Sequence, residues 1–354
     1  MTILHTADLH LDEEHEERWS AFDELVSAAR EHEVDALVIS GDLFDHGLEA
    51  EKLRNRLRST IGSGSFQTVI LPGNHDYKAY RSGLYFGENV SVLSNWEEPV
   101  EAGRVVIWGL PYERLSAEKI VRRLKDLAAR MDPDRINYLL FHGELLDAYF
   151  SPEDMGDEGE QRYMPVKLSY FADLPVKHVL AGHFHSRYAA WNLPGGGLFV
   201  YPGSPSAVTR REIGIRKANL VDPGGKISEL ILSTAHYESV SLNLDPFSER
   251  NPLEQLEQSL QGLHSRAKLI LSISGYFNGA VLGLNENELV EAVKSKMDIY
   301  MVDELMIEFK DVQHILEDDL FKKFREKLSL TDYTRNQQEK AEKMLINAFR
   351  GVKK

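Results

Sequence analysis

Along the first two thirds of the chain the apolar positions alternate between two patterns. TILH near the N-terminus, ALVIS from Ala36 and QTVI from Gln67 are short, rich in β-branched residues and closed by polar segments, which predicts buried strands. Between them, EERWSAFDELVSAAREHE puts Trp19, Phe22, Leu25, Val26 and Ala29 on one helical face, and EAEKLRNRLRSTIG reads as a second helix. VSVLSN, RVVIWGLPY, INYLLFHGEL, HVLAGHFH and GLFVYPGS continue as strands, with KIVRRLKDLAARM as a helix between two of them. This alternation predicts an α/β sheet whose functional groups sit at strand ends.

Ser151 to Pro165 is acidic, contains glycine and lacks an apolar period, so it reads as a surface loop. KANLVDPGGKISELILS reads as a hairpin turning at Asp222 to Gly225. The pattern changes near Pro246 to Pro252, and a domain boundary is placed there, closing a first domain over residues 1–245. A helix, a strand, a helix and a strand then form a small α+β unit over 246–315, and two helices over 316–354 finish the chain. Leu320, Phe321, Phe324 and Leu328, then Ala341, Met344, Leu345, Ala348 and Phe349, make helical stripes. Such stripes serve either as intramolecular core or as a partner surface.

Composition narrows the chemistry. With 354 residues, 42% of them hydrophobic and 27% charged, the chain can bury a sizeable core, and two domains are the natural expectation. There is no cysteine, which excludes disulfides and thiolate metal sites and leaves oxygen and imidazole nitrogen as metal donors. No apolar run approaches membrane-spanning length, and MTILHTADLH begins at once with a strand pattern rather than a basic segment followed by an apolar one. The expectation is a soluble, cytoplasmic protein without a signal peptide or a membrane partner. The net charge of -15 argues against a surface that attracts phosphate backbones everywhere. It leaves nucleic acid open, because divalent cations can reverse a local field and a basic patch or partner subunit can supply contacts.

The chemistry-bearing residues follow the apolar runs in order: Asp8-x-His10, Gly41-Asp42-x-x-Asp45, Gly73-Asn74-His75-Asp76, His142-Gly143 and Gly182-His183-x-His185. One such motif is commonly structural; five at successive strand ends point to a shared purpose. Carboxylate, imidazole and amide oxygen together suit manganese, iron or zinc better than the all-oxygen shells of calcium or magnesium. In an extended segment residues two apart face one side, so both members of Asp8-x-His10 and of His183-x-His185 can reach one cluster. Two ions about 3.5 to 4 Å apart need a ligand that touches both, and Asp42, central in order and preceded by a glycine, is the candidate. A pair of such ions is shaped for phosphoester hydrolysis by in-line attack. No phosphate-cradling GxxxxGK[ST] loop, dinucleotide fingerprint or Ser-His-Asp arrangement competes.

DLH, GDLFD, GNHD, FHG and GHFH, in this order over roughly the first 210 residues, resemble the signature motifs of the calcineurin-like metallophosphoesterases. HTADLHLD, LPGNHD and the later YPGSPS with a small downstream domain resemble, within that superfamily, the SbcD-type DNA repair exonucleases. The resemblance implies a metallophosphoesterase fold, a β-sandwich flanked by helices, with a small α+β C-terminal cap domain that binds DNA and terminal helices that dock an SMC-like ATPase. It implies two divalent ions, manganese by expectation. One would be held by Asp8, His10, Asp42 and His185, the other by Asp42, Asn74, His142 and His183. His75 falls where the superfamily has a histidine, not a ligand, that protonates the leaving oxygen, and Asp45 falls where its orienting partner lies. Asp45 is kept over His46 because it preserves the GDxxD spacing, and Asp76 reads as a brace for its loop. Tyr201 and Ser204 in YPGS either position a substrate phosphate or merely end a strand.

The leading expectation is a metal-dependent DNA nuclease, exonuclease and possibly endonuclease, of double-strand break repair, working as a homodimer with an SMC-like ATPase. A small-molecule phosphodiesterase or phosphomonoesterase is the alternative, and a binding scaffold with a vestigial metal site is a third reading that the complete motif set argues against.

Overall fold

A computed structural model of the chain describes residues 1–47, 49–62, 66–82, 84–148, 163–248 and 250–352. The acidic segment expected as a loop at 151–165 lies outside them except for its last three residues. The fold divides into two units, Met1–Tyr237 and Glu238–Lys354.

The first unit opens with β1 (Ile3–Thr6), α1 (Glu16–Glu31), β2 (Ala36–Ser40), α2 (Glu49–Ile61), β3 (Gln67–Leu71) and β4 (Val90–Val92). It continues with β5 (Val100–Ala102), β6 (Val105–Leu110), α3 (Ala117–Arg130), β7 (Ile136–His142) and β8 (His178–Gly182). β9 (Ala189–Asn192), β10 (Leu198–Tyr201), β11 (Lys217–Val221) and β12 (Ile227–Ile231) complete it. Two six-stranded sheets result, ordered β12-β11-β1-β2-β3-β4 and β5-β6-β7-β8-β10-β9. β1 to β4 are mutually parallel, as are β6, β7, β8 and β10, whereas β5, β9, β11 and β12 join antiparallel.

Side-chain alternation along the strands sorts the core into three layers. Ala36 and Val38 of β2 share one layer with Tyr138 and Leu140 of β7, where the two sheets meet. Leu37 and Ile39 point the other way, to Trp19, Phe22 and Leu25 of α1 and Leu53 and Leu57 of α2. Leu139 and Phe141 likewise face Ile120, Leu124 and Leu127 of α3. The sandwich flanked by helices follows from this arrangement, and it aims the carboxyl ends of the parallel strands at a common edge. The Asp222–Gly225 hairpin joins β11 and β12, with the Gly225 amide donating to the Asp222 carbonyl at 2.8 Å.

β13 (His236–Leu244) runs across the division, and Val240, Leu242 and Leu244 pack into the second unit's core. That unit continues with α4 (Pro252–Leu260), β14 (Ala267–Phe277), α5 (Gly279–Leu282), α6 (Glu286–Met297), β15 (Met301–Asp311), α7 (Gln313–Leu316), α8 (Asp319–Ser329) and α9 (Arg335–Val352). Its sheet is ordered β13-β14-β15, with β14 and β15 parallel as the helical crossover between them requires. A capping box starts α6: the Asn285 side chain accepts from the Glu288 amide and the Glu288 carboxylate from the Asn285 amide. Of the terminal stripes, Phe321 and Leu328 are buried, with Ile346 rather than Met344 opposite them; Leu320 and Met344 are exposed.

His5 on β1 is fully enclosed. Its Nε2 lies 3.0 Å from Ser40 Oγ and its Nδ1 accepts from the Asn219 side chain at 2.9 Å, while Ser40 Oγ donates to the Leu180 carbonyl of the other sheet. Burial lowers the ring's pKa from its usual 6.5 to about 3. The fold thus favours neutral His5, so its contribution is complete above pH 6.5 and is lost as the pH falls from there toward 3. Denaturant titration of metal-free protein should show the wild type losing about 2 kcal/mol more stability than His5→Gln between pH 7 and pH 5. Equal losses in the two proteins would show that His5 is not the group titrating.

Candidate metal centre

Each cluster residue stands at or just beyond the carboxyl end of a parallel strand: Asp8 and His10 after β1, Asp42 after β2, Asn74 and His75 after β3, His142 ending β7, and His183 and His185 after β8. This is where open α/β sheets place ligands. The turns are tight. Asp8, His10, Asp42 and His183 all have positive φ, at 56°, 48°, 49° and 103°; among the described non-glycine residues only Glu33 and Met164 share that sign. Such backbone costs roughly 1 to 3 kcal/mol per residue and persists where the surroundings over-determine it. Glycines make room. A Cβ on Gly41 would lie 1.9 Å from His142 Nδ1, and one on Gly73 2.1 Å from Asp42 Oδ1.

Asp8, His10, Asp42 and His185 each bring a donor atom within 4.8 Å of the others, all four buried. The His10 and His185 Nε2 atoms face each other at 3.2 Å. Asp42 Oδ2 is buried without a well-formed hydrogen bond, 3.1 Å from His142 Nε2 and 3.9 Å from His10 Nε2. His142 donates from Nδ1 to the Ser40 carbonyl at 2.8 Å, which turns Nε2 toward Asn74 Oδ1 at 2.8 Å and Asp42 Oδ2 at 3.1 Å. A neutral ring in that tautomer would set its lone pair against two oxygens, so Nε2 calls for a proton or a cation. Burial disfavours the charged ring, but Asp42 and Asp8 outweigh it and raise His142 to about 9. Burial also raises Asp8; Asp42 goes the other way, because His142 and His10 overcome the burial penalty. The donor set and the orphaned carboxylate oxygen both fit a divalent cation.

The His183 amide donates to both oxygens of Asp8 at 3.0 Å, and its ring meets that of His142 at 5.4 Å between centroids. Asn74, His142 and Asp42 are thus grouped, with the His183 ring against His142, and His142 and His185 each also approach Asp8 Oδ1, at 3.9 and 3.8 Å.

Asp45 divides its work differently from the expectation. Its carboxylate accepts from His10 Nδ1 at 3.1 Å, whereas its backbone carbonyl accepts from His75 Nδ1 at 2.9 Å. His75 is therefore oriented by main chain, and the Asp45 side chain fixes the tautomer of His10. Asp76 braces its loop, accepting from the amides of Gly73 and Phe44 and from the Tyr80 hydroxyl at 2.8, 3.2 and 2.9 Å. Burial and the nearby Asp42 raise Asp76 to about 7.

Tyr201 and Ser204, left open between substrate contact and strand end, are engaged within the fold. Both are buried; Tyr201 donates to the Gly143 carbonyl at 2.5 Å and Ser204 Oγ donates to Glu212 Oε2 at 2.8 Å. Their hydroxyls are committed to holding the strand-end loops together. Glu212 is a residue the motifs did not reveal. It also accepts from the Val208 and Thr209 amides and stands 3.7 Å from His185 Nδ1, while buried Arg216 donates to the Ser204 and Ser186 carbonyls. Arg18 of α1 was equally hidden: it donates to the His10 carbonyl at 2.6 Å and to Asp12 at 2.8 Å, and lies 3.3 Å from Asp45 Oδ1. Only their position in otherwise apolar or loop sequence could have signalled them, and that signal is weak.

Residues 1–187 match the family model described as calcineurin-like phosphoesterase, more than half of the chain. The chain belongs to that family. Among curated relatives, the "DNA double-strand break repair protein Mre11" of Sulfurisphaera tokodaii is 27% identical over 64% of this chain and 60% of its own length. The protein of the same name from Methanopyrus kandleri is 28% identical over 60% of this chain and 50% of its own. That of Sulfolobus acidocaldarius is 23% identical over 76% and 71%. The chain thus matches between half and two thirds of the length of the first two. Members of this phosphoesterase family use divalent metals, and the grouped carboxylates and imidazoles could bind them.

If the Asp45 carboxylate orients His10, Asp45→Ala should weaken manganese binding about 10- to 100-fold in calorimetric titration. His75→Ala, which removes a ring that meets His10 at 4.8 Å between centroids but whose Nδ1 bonds main chain, should leave that binding within about twofold if His75 is not a ligand. Unchanged affinity in Asp45→Ala would assign the side chain another role.

Proposed function

We propose that this phosphoesterase is a manganese-dependent DNA nuclease that hydrolyses phosphodiester bonds during double-strand break repair. The observation that carries hydrolysis is the buried group Asp8, His10, Asp42 and His185, with His142, Asn74 and His183 beside it. The names of the curated relatives support DNA as the substrate.

In this reading Asp8, His10, Asp42 and His185 hold one ion and Asp42, Asn74, His142 and His183 the other. Bound there, two divalent cations would polarise a phosphoryl oxygen and lower the pKa of water. The chain's own residues do the rest. Asp42 is kept ionised by its imidazole neighbours and can face both positions. His75, its Nδ1–H held by the Asp45 carbonyl, presents Nε2 as the atom that passes a proton to the leaving oxygen as a new P–O bond forms and the old one breaks. The main-chain link from the His75 amide to Asp42 Oδ1, 2.9 Å, keeps that ring in register with the centre.

The second unit serves in this reading as a DNA-binding cap, and α8 and α9, with Leu320 and Met344 exposed, engage an SMC-like ATPase. Two copies of the chain act together, and the place of action is the cytoplasm. Among the described residues no helix is long and apolar enough to cross a membrane.

With manganese, purified protein should shorten linear duplex DNA, and chelation should stop it. His75→Ala should lower the rate at least about 100-fold while two manganese ions per chain persist by elemental analysis. Degradation indifferent to both changes would sink the reading. Hydrolysis of cyclic nucleotides or nitrophenyl phosphates without cleavage of DNA would favour the small-molecule phosphodiesterase reading, toward which the net charge of -15 leans.

A further inference from the structure

A cavity of about 430 Å³ opens beside the candidate catalytic loop, lined by Pro72, Tyr77, Tyr80, Pro111, Tyr112 and Glu113 among others. Its size is that of a small-ligand site. Pro72 and Tyr77 bracket the segment that carries Asn74 and His75, and the Tyr112 amide donates to the Pro72 carbonyl at 3.0 Å, tying together the loops after β3 and β6. The rings of Tyr77 and Tyr112 meet edge-to-face, 5.3 Å between centroids and inclined at 65°. From there the aromatic contacts continue: Tyr112 to Tyr163 at 6.0 Å, and Tyr163 to His183 at 5.2 Å. A line of rings therefore leads from the cavity to a cluster residue.

The wall is firmly held. Tyr80 donates to Asp76, and the charge of Glu113 is matched by Arg123 Nη1 at 3.2 Å. Lys78 is exposed, with its Nζ 5.7 Å from the centroid of Tyr77. Tyr80 and Tyr112 are buried, while Tyr77 is partly exposed at the cavity's edge with Lys78 beside it.

Resting on the nuclease reading, we propose that this pocket stacks an unpaired nucleobase of the bound strand on Tyr77 and Tyr112, with Lys78 meeting the adjoining phosphate. Tyr77 lies two positions after His75, at most about 7 Å between Cα atoms. A strand advances about 3.4 Å per nucleotide, so a base stacked on Tyr77 lies within a few nucleotides of the bond at the metal centre. Stacking of this kind tolerates any base, because every base has a π-face.

The test uses full-length His75→Ala protein with manganese, so that a strand is bound with little cutting. A single-stranded oligonucleotide is compared with sets of the same oligonucleotide carrying one abasic sugar at each position in turn. At one position the loss of the base should weaken binding roughly 5- to 100-fold. Adding Tyr77→Ala should abolish that difference and Tyr77→Phe should keep it. Should Tyr77→Ala fail to fold, Tyr77→Leu, which keeps bulk without a π-face, carries the same expectation. Abasic sites without effect at every position, or a difference that survives both Tyr77→Ala and Tyr77→Leu, would overturn the pocket while leaving the nuclease reading standing. Absence of binding to any oligonucleotide, joined to absence of DNA cleavage by the His75-containing protein, would sink the nuclease reading and the pocket with it.

Discussion

Two carboxylates shut away from water, Asp8 and Asp42, set the terms for the rest of the first unit. An isolated buried carboxylate costs several kcal/mol even after its surroundings relax. Here the compensation comes from three directions. Imidazoles of His142, His10 and His185 crowd the oxygens, the His183 amide donates to Asp8, and the His75 amide donates to Asp42. Still, one oxygen of Asp42 is left without a well-formed hydrogen bond, and the His142 tautomer set by Ser40 points a nitrogen at two oxygens. A protonated His142 answers part of that demand, and a divalent cation, of the kind the family uses, would answer it more fully.

Holding these groups together requires backbone that most residues avoid. Asp8, His10, Asp42 and His183 take positive φ at successive strand ends, each at a cost of order 1 to 3 kcal/mol. The two sheets can bear that cost because the side chains facing each other from their parallel strands are mostly buried, so the strand ends have little freedom to relax. Gly41 and Gly73 then allow His142 and Asp42 to approach main chain where a Cβ would collide. Strain, packing and close approach are thus parts of one arrangement: rigid strands present tight turns, and tight turns turn several polar side chains of different loops toward one point.

That arrangement explains what could be read from the sequence. An α/β sheet was legible in the alternation of ALVIS and INYLLFH with amphipathic helices, since both faces of such strands are covered and both must be apolar, whereas the sandwich of two sheets came from the resemblance. The polar residues stood out because each interrupts the chain just where an apolar run ends. Their allotment to two ions came from the resemblance alone. β13 was passed over although Val240, Leu242 and Leu244 alternate, because three apolar residues among polar neighbours are a faint pattern. Glu212, Arg216 and Arg18 were invisible for a different reason: nothing in the local spacing marks a charge as buried. Tyr201 and Ser204 were open between substrate and structure, and internal hydrogen bonds decided for structure. With Asp45 the residue was identified but not which of its atoms acts, because a backbone carbonyl leaves no trace in a motif.

Charge bears on how a DNA substrate would be recognised. A net charge of -15 opposes the long-range attraction that draws most DNA-binding surfaces to a phosphate backbone. Recognition by such a chain must therefore be won at short range, where two kinds of contact escape the overall field. Cations held by Asp8 and Asp42 would reverse the local sign at the scissile phosphate. Stacking on Tyr77 and Tyr112 is indifferent to net charge, because it acts on the base rather than the phosphate. An acidic chain that cleaves DNA would on this argument hold its strand by the bond it breaks and by a base nearby. Broader grip on the duplex would have to come from a locally basic surface or from a partner.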